Sequence, residues 1–323
     1  MSRRQWIVSA AAFAVLISAA QRVDWRSAAL VIGESTLAPL IVALVLNVLS
    51  VALRGVRWWI FLRGVGAPSL ALAIRGTFVG AGLNNVVVAN GGEAARAILV
   101  ARAANVSRPT IFATVGLDRL FDPLCFALLL VVATFTIRLP VRLTHARGLA
   151  ATCLISLGVV LIVWFAMSRR GLPSDGGQGW RGRVRALSTP ARLLLAFAIS
   201  LGVWTMQVAT FALVARATNI ALPLAGSLAA MLLSDTGLLL RATPGNVGFF
   251  QFTYQIAAQQ YGVPNDAAIA TALLLQIIQA VPITLAGLAL TPGFMKSRAL
   301  LDAREERSYR RATPVLHGQI TAG

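Results

Sequence analysis

The sequence predicts an all-α, polytopic integral membrane protein with about six to eight transmembrane helices. Three observations support this fold class. Hydrophobic residues make up 57% of the 323 residues, whereas charged residues make up 12%, about half their usual share in soluble domains. The mean hydropathy is +0.76. Long apolar segments recur along the chain, and each spanning helix needs about 20 residues, which leaves no room for a sizeable soluble domain.

Seven segments are long and apolar enough to cross a bilayer. The first follows Arg3 and Arg4, and we interpret it as a retained helix rather than a cleaved signal peptide. Two further stretches, about 70–89 and 244–261, are apolar but interrupted by Gly, Asn, Gln or Pro, so they are either poor spans or re-entrant elements. The seven segments are approximately 6–20, 37–53, 110–137, 149–167, 193–215, 222–240 and 267–290.

Basic residues predict the orientation of these segments. The formal net charge is +18, but the arginines lie between apolar segments, where the positive-inside rule places them, so we expect no nucleic-acid partner. We predict that Arg54, Arg57 and Arg63 lie on the cytosolic side, together with the N-terminus and the tail. That arrangement needs an even number of crossings, whereas seven is odd. Either a broken stretch crosses fully or one of the seven segments does not.

The chain is expected to contain one membrane domain, 1–295, and a basic cytosolic tail, 296–323. A linker rich in Gly, Ser, Pro and Arg, 168–190, divides the membrane domain into halves 1–167 and 191–295. Short matches relate the two halves and indicate a candidate internal repeat, a feature typical of transporters. Aligning Asn105 with Gly262 places Thr114 on Thr271, Arg119 on Gln276 and Asp122 on Gln279.

Polar and charged residues cluster between positions 84 and 122. Asn84 and Asn85 can supply donors and acceptors to an interrupted helix. Glu93 and Arg96 are three residues apart, so they can pair on a helix. Asp118, Arg119 and Asp122 fall within an apolar segment, where each charge costs about 2.5 to 3.5 kcal/mol and by default indicates a functional site. A ligand-facing cavity and a purely structural ion network both remain open, and both predict burial away from lipid.

A second polar cluster lies between residues 234 and 251. Asp235 and Arg241 flank an apolar stretch, and Pro244, Gly245 and Gly248 then precede a new apolar run that contains Gln251. A helix start after a Gly-rich turn presents free N–H groups that suit an anionic group such as phosphate.

No catalytic or metal-binding motif is recognisable in the sequence. His145 and His317 fall in connecting or tail regions, and Cys125 and Cys153 fall in apolar segments. We therefore expect no enzyme activity, no cofactor and no metal.

The sequence resembles the flippase-like transmembrane region of lysylphosphatidylglycerol synthases. The resemblance rests on four motifs over roughly 37–290. They are Arg54 and Arg57 before a Trp pair; Gly82, Asn84 and Asn85 followed by Gly92, Glu93 and Arg96; Asp118, Arg119 and Asp122; and Pro244, Gly245 and Gly248. The family usually has a proline after the paired asparagines, a glutamate before the arginine of the third motif and a glutamate in the late turn. This chain has Val87 or Val88, Asp118 and Gln251 at those positions.

The resemblance implies lipid handling in a bacterial cytoplasmic (inner) membrane, without the aminoacyltransferase domain of the full-length synthases. Our leading hypothesis is a flippase or transporter for an anionic phospholipid or a polyprenyl or isoprenoid lipid. The alternatives are an intramembrane enzyme, with a metal on Asp118 and Asp122, or a non-transporting accessory partner of a lipid-linked glycosyl- or aminoacyl-transferase. The expected lipid-binding residues are Asn84, Asn85, Gly92, Glu93, Arg96, Asp118, Arg119, Asp122, Asp235, Arg241, Pro244, Gly245, Gly248 and Gln251.

Overall fold

Nine α-helices make up the part of the chain that the structure, a computed structural model, describes: residues 25–67, 69–86, 91–136, 189–238 and 248–312, with isolated positions between 148 and 159. They are α1 (Trp25–Gly33), α2 (Leu37–Leu62), α3 (Leu70–Val86), α4 (Gly91–Ala103), α5 (Arg108–Thr136), α6 (Pro190–Ala217), α7 (Leu224–Leu238), α8 (Phe249–Gln259) and α9 (Asn265–Ala312). The segment predicted at 6–20, most of the one predicted at 149–167 and most of the linker 168–190 lie outside the described residues.

The prediction of an all-helical membrane protein is confirmed. Of the helices described, three are long and apolar enough to cross a membrane: α2 with its following turn, α6, and α9 as far as Thr291. α5 has a comparable length of 29 residues but carries Asp118, Arg119 and Asp122. α2 extends to Leu62 rather than ending near residue 53, so Arg54 and Arg57 lie inside the helix instead of flanking it.

α2 and α6 form an antiparallel pair at the centre of the molecule. The start of α2 meets the end of α6, because the Thr36 amide donates to the Ala217 carbonyl at 2.9 Å. Near the other end of the pair, the Arg57 guanidinium donates to Ser200 Oγ at 2.8 Å. We call the side on which α2 ends and α6 begins, marked by Arg63 and Arg192, the basic side.

α3 and α4 form a helical hairpin, here hairpin 1, that begins and ends on the basic side. Gly80 packs against the Arg96 side chain and Gly76 packs against Val100. Residue numbers therefore rise along α4 in the direction in which they fall along α3, so the two helices are antiparallel. The end of α4 packs with the start of α3 around Ala73 and Ala101.

α7 and α8 form hairpin 2, which begins and ends on the opposite side. Thr253 Oγ1 lies 3.4 Å from Ser234 Oγ, and Gly226 packs against the ring of Tyr261. This pairing is again antiparallel. Both hairpins thus correspond to the interrupted stretches of the sequence.

The described part of each hairpin extends about halfway across the bundle. Asn85, near the tip of hairpin 1, bonds to the Ala280 carbonyl, and Gln251, near the tip of hairpin 2, bonds to Gln276. Both partners lie near the middle of the apolar part of α9. At a rise of about 1.5 Å per residue, α4 and α8 are roughly 20 and 16 Å long, shorter than a hydrocarbon core of about 30 Å.

The predicted crossing at 222–240 is therefore corrected: α7 has 15 residues and is one arm of hairpin 2. This correction lowers the predicted number of crossings from seven to six. The six that remain are the segments of α2, α5, α6 and α9 and the segments at 6–20 and 149–167, which stay predictions because they lie largely outside the described residues. That total is even, and α9 runs from the side of Thr218 toward the basic side, where its helix continues to Ala312.

The candidate internal repeat is supported by the backbone. Thr36 precedes α2 and Thr189 precedes α6. A residue with left-handed backbone conformation follows each helix, Gly66 after α2 and Asn219 after α6. Thr36 and Thr189 are 153 positions apart, and so are Gly66 and Asn219. Asn105 and Gly262, the pair that the sequence aligned, also both have left-handed φ, 52° and 75°. In both turns the next residue closes the helix end by bonding five positions back, Val106 to Ala101 and Val263 to Ala258.

The repeat is inverted. The first half contains α2 to α5 and the second contains α6 to α9, in the same order and with the hairpin in the same place. Because the equivalent helices α2 and α6 are antiparallel, the two halves run in opposite directions. Inverted repeats with interrupted helices at their interface are a recurrent architecture of membrane transporters.

A close helix contact anchors hairpin 1 to α9. Gly287 lies against the Phe78 carbonyl and Gly82, and a Cβ at Gly287 would be 2.6 Å from that carbonyl oxygen. Small residues at such crossings allow the backbones of membrane helices to approach closely. The contact fixes the position of the residues that hairpin 1 contributes to the centre of the molecule.

Candidate functional site

A buried arginine, Arg57, connects three helices. Its Nε donates to Asp118 Oδ1 at 2.7 Å, and its Nη1 donates to Asp122 Oδ1 and to Ser200 Oγ, both at 2.8 Å. Asp118 and Asp122 are four residues apart, so they lie on one face of α5, which here faces α2. The side chains of Arg57 and Asp118 are each 1% exposed, so these charges are almost completely removed from solvent and lipid.

Arg96 is the second buried arginine of the network, and it comes from hairpin 1. Its Nη2 bonds to Asp118 Oδ2 at 3.2 Å, and its Nε lies 2.7 Å from Glu93 Oε2, so the predicted Glu93 and Arg96 pair is present. The guanidinium also lies 4.6 Å from the ring centre of Trp58, a favourable cation–π distance. Trp58 in turn donates to Thr114 at 3.0 Å, which fixes its ring.

Arg119 closes the network at its exposed edge. Its guanidinium pairs with Glu93 and, at 3.1 Å, with Asp122 Oδ2, while 42% of its side chain stays exposed. Each carboxylate of the network, Glu93, Asp118 and Asp122, is thereby paired with two arginines. Such shared pairs are strongly interdependent, because removing one arginine leaves a buried carboxylate without sufficient compensation.

The network surrounds a small cavity of about 30 Å³. Four arginines and three acidic residues line it, so the lining has one positive charge in excess. The additional cation is Arg54, which lines the cavity from α2. Within the part of the chain that the structure describes, Arg54 has no ion pair, and its buried Nε has no hydrogen-bond partner. Thr77 and Ala81 of hairpin 1 and Val51 complete the lining.

Asn84 and Asn85 are adjacent in sequence but serve different contacts. Asn84 Oδ1 accepts a hydrogen bond from the Gly92 amide at 2.9 Å, and Asn84 Nδ2 donates to Glu93 at 3.3 Å. Asn84 thus gives a backbone N–H at the start of α4 a hydrogen-bond partner beside the network. Asn85 donates to the Ala280 carbonyl and to Thr284 Oγ1 at 3.0 Å, and therefore faces α9. Gly92 packs directly on the Gly80 carbonyl and Asn84, which leaves no space for a side chain.

The second polar cluster of the sequence divides between two locations. Asp235 of α7 is half-buried and lies within electrostatic reach of Arg54 and Asp122, so it belongs beside the cavity. Gln251 caps α8 by accepting the Gly248 amide at 2.6 Å and bonds to Gln276. Arg241, Pro244 and Gly245 lie outside the described residues, so their assignment to the site stays a prediction.

Sequence reasoning did not select Arg54 and Arg57 as site residues, because it placed them at the membrane edge. The available signal was the continuation of apolar sequence through Trp58 to Leu62, which extends the helix beyond both arginines. Two arginines inside an apolar 26-residue helix would by default indicate a functional site. Ser200, which accepts from Arg57, carries no such signal in the sequence.

The two aspartates proposed for the metal-enzyme alternative have all four oxygens directed at guanidinium groups. Among the residues described, no group of three or more His, Cys, Asp or Glu side chains is arranged to hold a metal ion. The network thus compensates the charges of its own members and leaves Arg54 without an ion pair among the described residues.

Comparison with known proteins identifies the family of this chain. The chain is 34% identical over 128 residues to a UPF0104 membrane protein of Pyrococcus horikoshii, an alignment that covers 38% of this chain and 36% of that relative. This chain therefore matches about a third of the length of that protein. A model of the family described as the lysylphosphatidylglycerol synthase TM region matches residues 6–287, which include all nine helices as far as the apolar part of α9 and every described residue of the network. The chain belongs to the lysylphosphatidylglycerol synthase transmembrane region family.

Proposed function

We propose that this protein binds an anionic lipid by its headgroup in the central cavity and moves the lipid across the cytoplasmic membrane. The observation that carries the proposal is Arg54, a cavity-lining guanidinium without an ion pair among the described residues. A phosphate is a strong partner for such a group, because charge-assisted hydrogen bonds are about twice as strong as neutral ones. An anionic phospholipid and a polyprenyl or isoprenoid phosphate both satisfy this requirement.

The outer surface would accommodate the tails of a lipid. Large apolar side chains are exposed on α2, α6 and α9, where they would contact acyl chains. A lipid could thus keep its tails on this surface while its headgroup enters the cavity. Examples of the exposed side chains are Ile41, Val45, Leu194, Leu195, Leu285 and Leu288.

The inverted repeat supports movement rather than binding alone. Hairpin 1 and hairpin 2 enter from opposite sides and each reaches the middle part of α9. In inverted-repeat transporters the substrate binds near this depth. Rocking of one half against the other would expose the cavity to each side in turn. We propose transport rather than catalysis, since the acidic residues of the cavity are engaged by arginines.

Replacing Arg54 with glutamine tests the function. We expect binding and movement of an anionic lipid to fall at least about tenfold, because a hydrogen bond to a charged group contributes about 1.5 to 3 kcal/mol. Two measurements compare the variant with the unaltered protein. Mass spectrometry identifies the lipid that the purified protein retains, and reconstituted vesicles report lipid movement. Arg54→Lys should restore part of both.

The control for Arg54 is Arg63→Gln, which removes an exposed arginine just after the same helix and should leave both measurements unchanged. Lipid retention and movement that are equal in Arg54→Gln and the unaltered protein would contradict the proposed function.

We also propose that the basic side faces the cytosol. Five arginines lie there, and Arg216 lies at the opposite end of α6, in keeping with the positive-inside rule. Single cysteines at positions 63 and 216, in a chain with Cys125 and Cys153 replaced by alanine, should then react differently with an impermeant thiol reagent added to intact cells. Position 216 should react, whereas position 63 should react only after lysis; the reverse pattern would contradict this orientation. The five arginines are Arg63, Arg75, Arg102, Arg108 and Arg192.

A further inference from the structure

The middle of the apolar part of α9 contains a proline, Pro282, within a continuous helix. A proline has no backbone N–H, and its ring clashes with the carbonyl four residues earlier, which here belongs to Ile278. That carbonyl therefore has no hydrogen-bond donor within α9, a costly state for a backbone group inside a membrane. Sharp bends in helices occur mostly at such prolines. Pro282 thus weakens one turn of α9 and makes that turn dependent on donors from other helices.

Asn47 of α2 supplies the missing donor. Its Nδ2 donates to the carbonyl of Ile278 at 3.1 Å and to the carbonyl of Gln279 at 3.2 Å. An asparagine amide carries two N–H donors, one for each carbonyl. Asn47 is only 3% exposed, so both hydrogen bonds lie inside the bundle. The carbonyl that Pro282 deprives of its helical donor is therefore satisfied by a side chain of the first half.

Asn85, near the tip of hairpin 1, binds the next carbonyl of the same turn. Its Nδ2 donates to the Ala280 carbonyl at 3.3 Å and to Thr284 Oγ1 at 3.0 Å, and these two acceptors lie on either side of Pro282 in the sequence. Three consecutive carbonyls before the proline thus accept hydrogen bonds from outside α9. We call Asn47 and Asn85 the amide clamp.

The part of α9 before Pro282 packs with the second half of the repeat. It contributes four residues to an apolar core, and most of the other buried residues of this core belong to α6, α7 and α8. A hydrogen bond from Gln279 to Gln207 adds a polar link to α6. This part of α9 is therefore held by α6 and hairpin 2. Its four core residues are Ala268, Ala272, Leu275 and Ile278.

The part of α9 after Pro282 packs with hairpin 1 instead. Ile283 shares a smaller apolar core with Phe78 of α3. About one turn later, Gly287 lies against the Phe78 carbonyl and Gly82. This part of α9 therefore contacts the first half, although in sequence α9 belongs to the second half. Pro282 lies at the boundary between the two packing environments.

We propose that α9 is a hinge between the two halves of the repeat: it bends at Pro282, and hairpin 1 moves with the part of α9 that follows the bend. The amide clamp holds the weakened turn in the conformation described. A bend displaces hairpin 1, which carries the cavity residues Thr77, Glu93 and Arg96, while hairpin 2 stays with the first part of α9. The cavity thereby changes shape. This inference concerns the moving parts of the protein, and it goes beyond the proposed function because it holds for any ligand of the cavity.

A double-mutant cycle tests the amide clamp. Pro282→Ala restores a backbone N–H that can bond to the Ile278 carbonyl in place of Asn47. We expect Asn47→Leu to lower the thermal unfolding midpoint of the detergent-purified protein by about 4 to 10 °C, but by less than half as much in the Pro282→Ala background. Gly202→Ala also places an alanine inside a membrane helix. It is the matched control background and should leave the effect of Asn47→Leu unchanged.

Distances between spin labels test the hinge itself. In a chain whose native cysteines are replaced by alanine, labels at Arg102 and Leu224 join hairpin 1 to hairpin 2, whereas labels at Leu194 and Leu224 join α6 to hairpin 2. All three positions are exposed. In reconstituted membranes we expect the first pair to give a broader distribution of distances than the second. Pro282→Ala should narrow the distribution of the first pair and leave that of the second unchanged.

Two results would overturn the hinge. One is an effect of Asn47→Leu that is equal in all three backgrounds, because Asn47 would then not serve the carbonyl freed by Pro282. The other is a distance distribution between hairpin 1 and hairpin 2 that Pro282→Ala leaves unchanged.

Lipid measurements separate the hinge from the proposed function. Pro282→Ala should lower lipid movement in vesicles but leave lipid retention by the purified protein intact, whereas Arg54→Gln should lower both. Absence of lipid retention in the unaltered protein would contradict the proposed function alone, since the unfolding midpoints and the spin-label distances do not depend on the ligand.

Discussion

Replacing Arg57 with alanine is expected to destabilise the folded protein by about 3 to 5 kcal/mol, because Asp118 and Asp122 then lose a shared buried partner. This loss is a large part of the stability of a typical domain, about 5 to 15 kcal/mol. Thermal unfolding of the detergent-purified protein should show a midpoint lowered by roughly 6 to 20 °C. Arg57→Lys should give an intermediate loss, since one ammonium retains the charge but not the forked geometry that reaches both carboxylates.

The control for Arg57 is Arg63→Ala, on the 3₁₀ turn that follows the same helix. Arg63 is exposed and contacts Trp59 through its guanidinium, so its removal should shift the midpoint by much less. A midpoint for Arg57→Ala within 1 to 2 °C of that of Arg63→Ala, about the effect of a surface change, would show that the network is not required for stability.

A single added methyl group should have opposite effects at two glycines. At Gly287 the new Cβ would lie 2.6 Å from the Phe78 carbonyl oxygen and 3.0 Å from Gly82 Cα, so the backbones of α3 and α9 must separate. Overpacking of this kind costs about 1 to 3 kcal/mol. At Gly202, in the middle of α6, nothing lies within 4 Å of the added Cβ, and alanine should stabilise the helix by about 0.5 to 1 kcal/mol.

Thermal unfolding of Gly287→Ala and Gly202→Ala measures both effects in one experiment. We expect the midpoint to fall for the first and to stay or rise for the second. Lipid movement should also fall for Gly287→Ala, because α3 carries the cavity residues Thr77 and Ala81. Equal midpoints for the two variants would contradict the close contact between hairpin 1 and α9.

Features that depend on spacing within one helix could be predicted from the sequence. The three-residue interval between Glu93 and Arg96 predicted their pair, and the four-residue interval between Asp118 and Asp122 placed both on one face. The alignment of Asn105 with Gly262 predicted the repeat, because both positions require the same left-handed turn. The interrupted stretches at residues 70–89 and 244–261 predicted breaks, because Gly, Asn and Pro are costly in continuous membrane helices.

Features that depend on contacts between distant segments could not be predicted in this way. Asn84 and Asn85 look equivalent in sequence, yet one bonds to Glu93 and the other to Thr284, because adjacent residues on a helix point about 100° apart and different neighbours meet each face. The pairing of α7 with α8 in one hairpin likewise follows from contacts between the two helices, which the sequence of α7 alone does not reveal.

The sequence by itself thus determined that this is an all-helical membrane protein with an interrupted, repeated pattern and a charged cluster in its first half. Only the tertiary structure decided that the repeat is inverted, that Arg57 is the centre of the cluster and that Arg54 has no ion pair among the described residues. The reason is physical: hydropathy and periodicity act over one or two helical turns, whereas Arg57 acquires its role from Asp118 and Ser200, which lie 61 and 143 residues away in the chain.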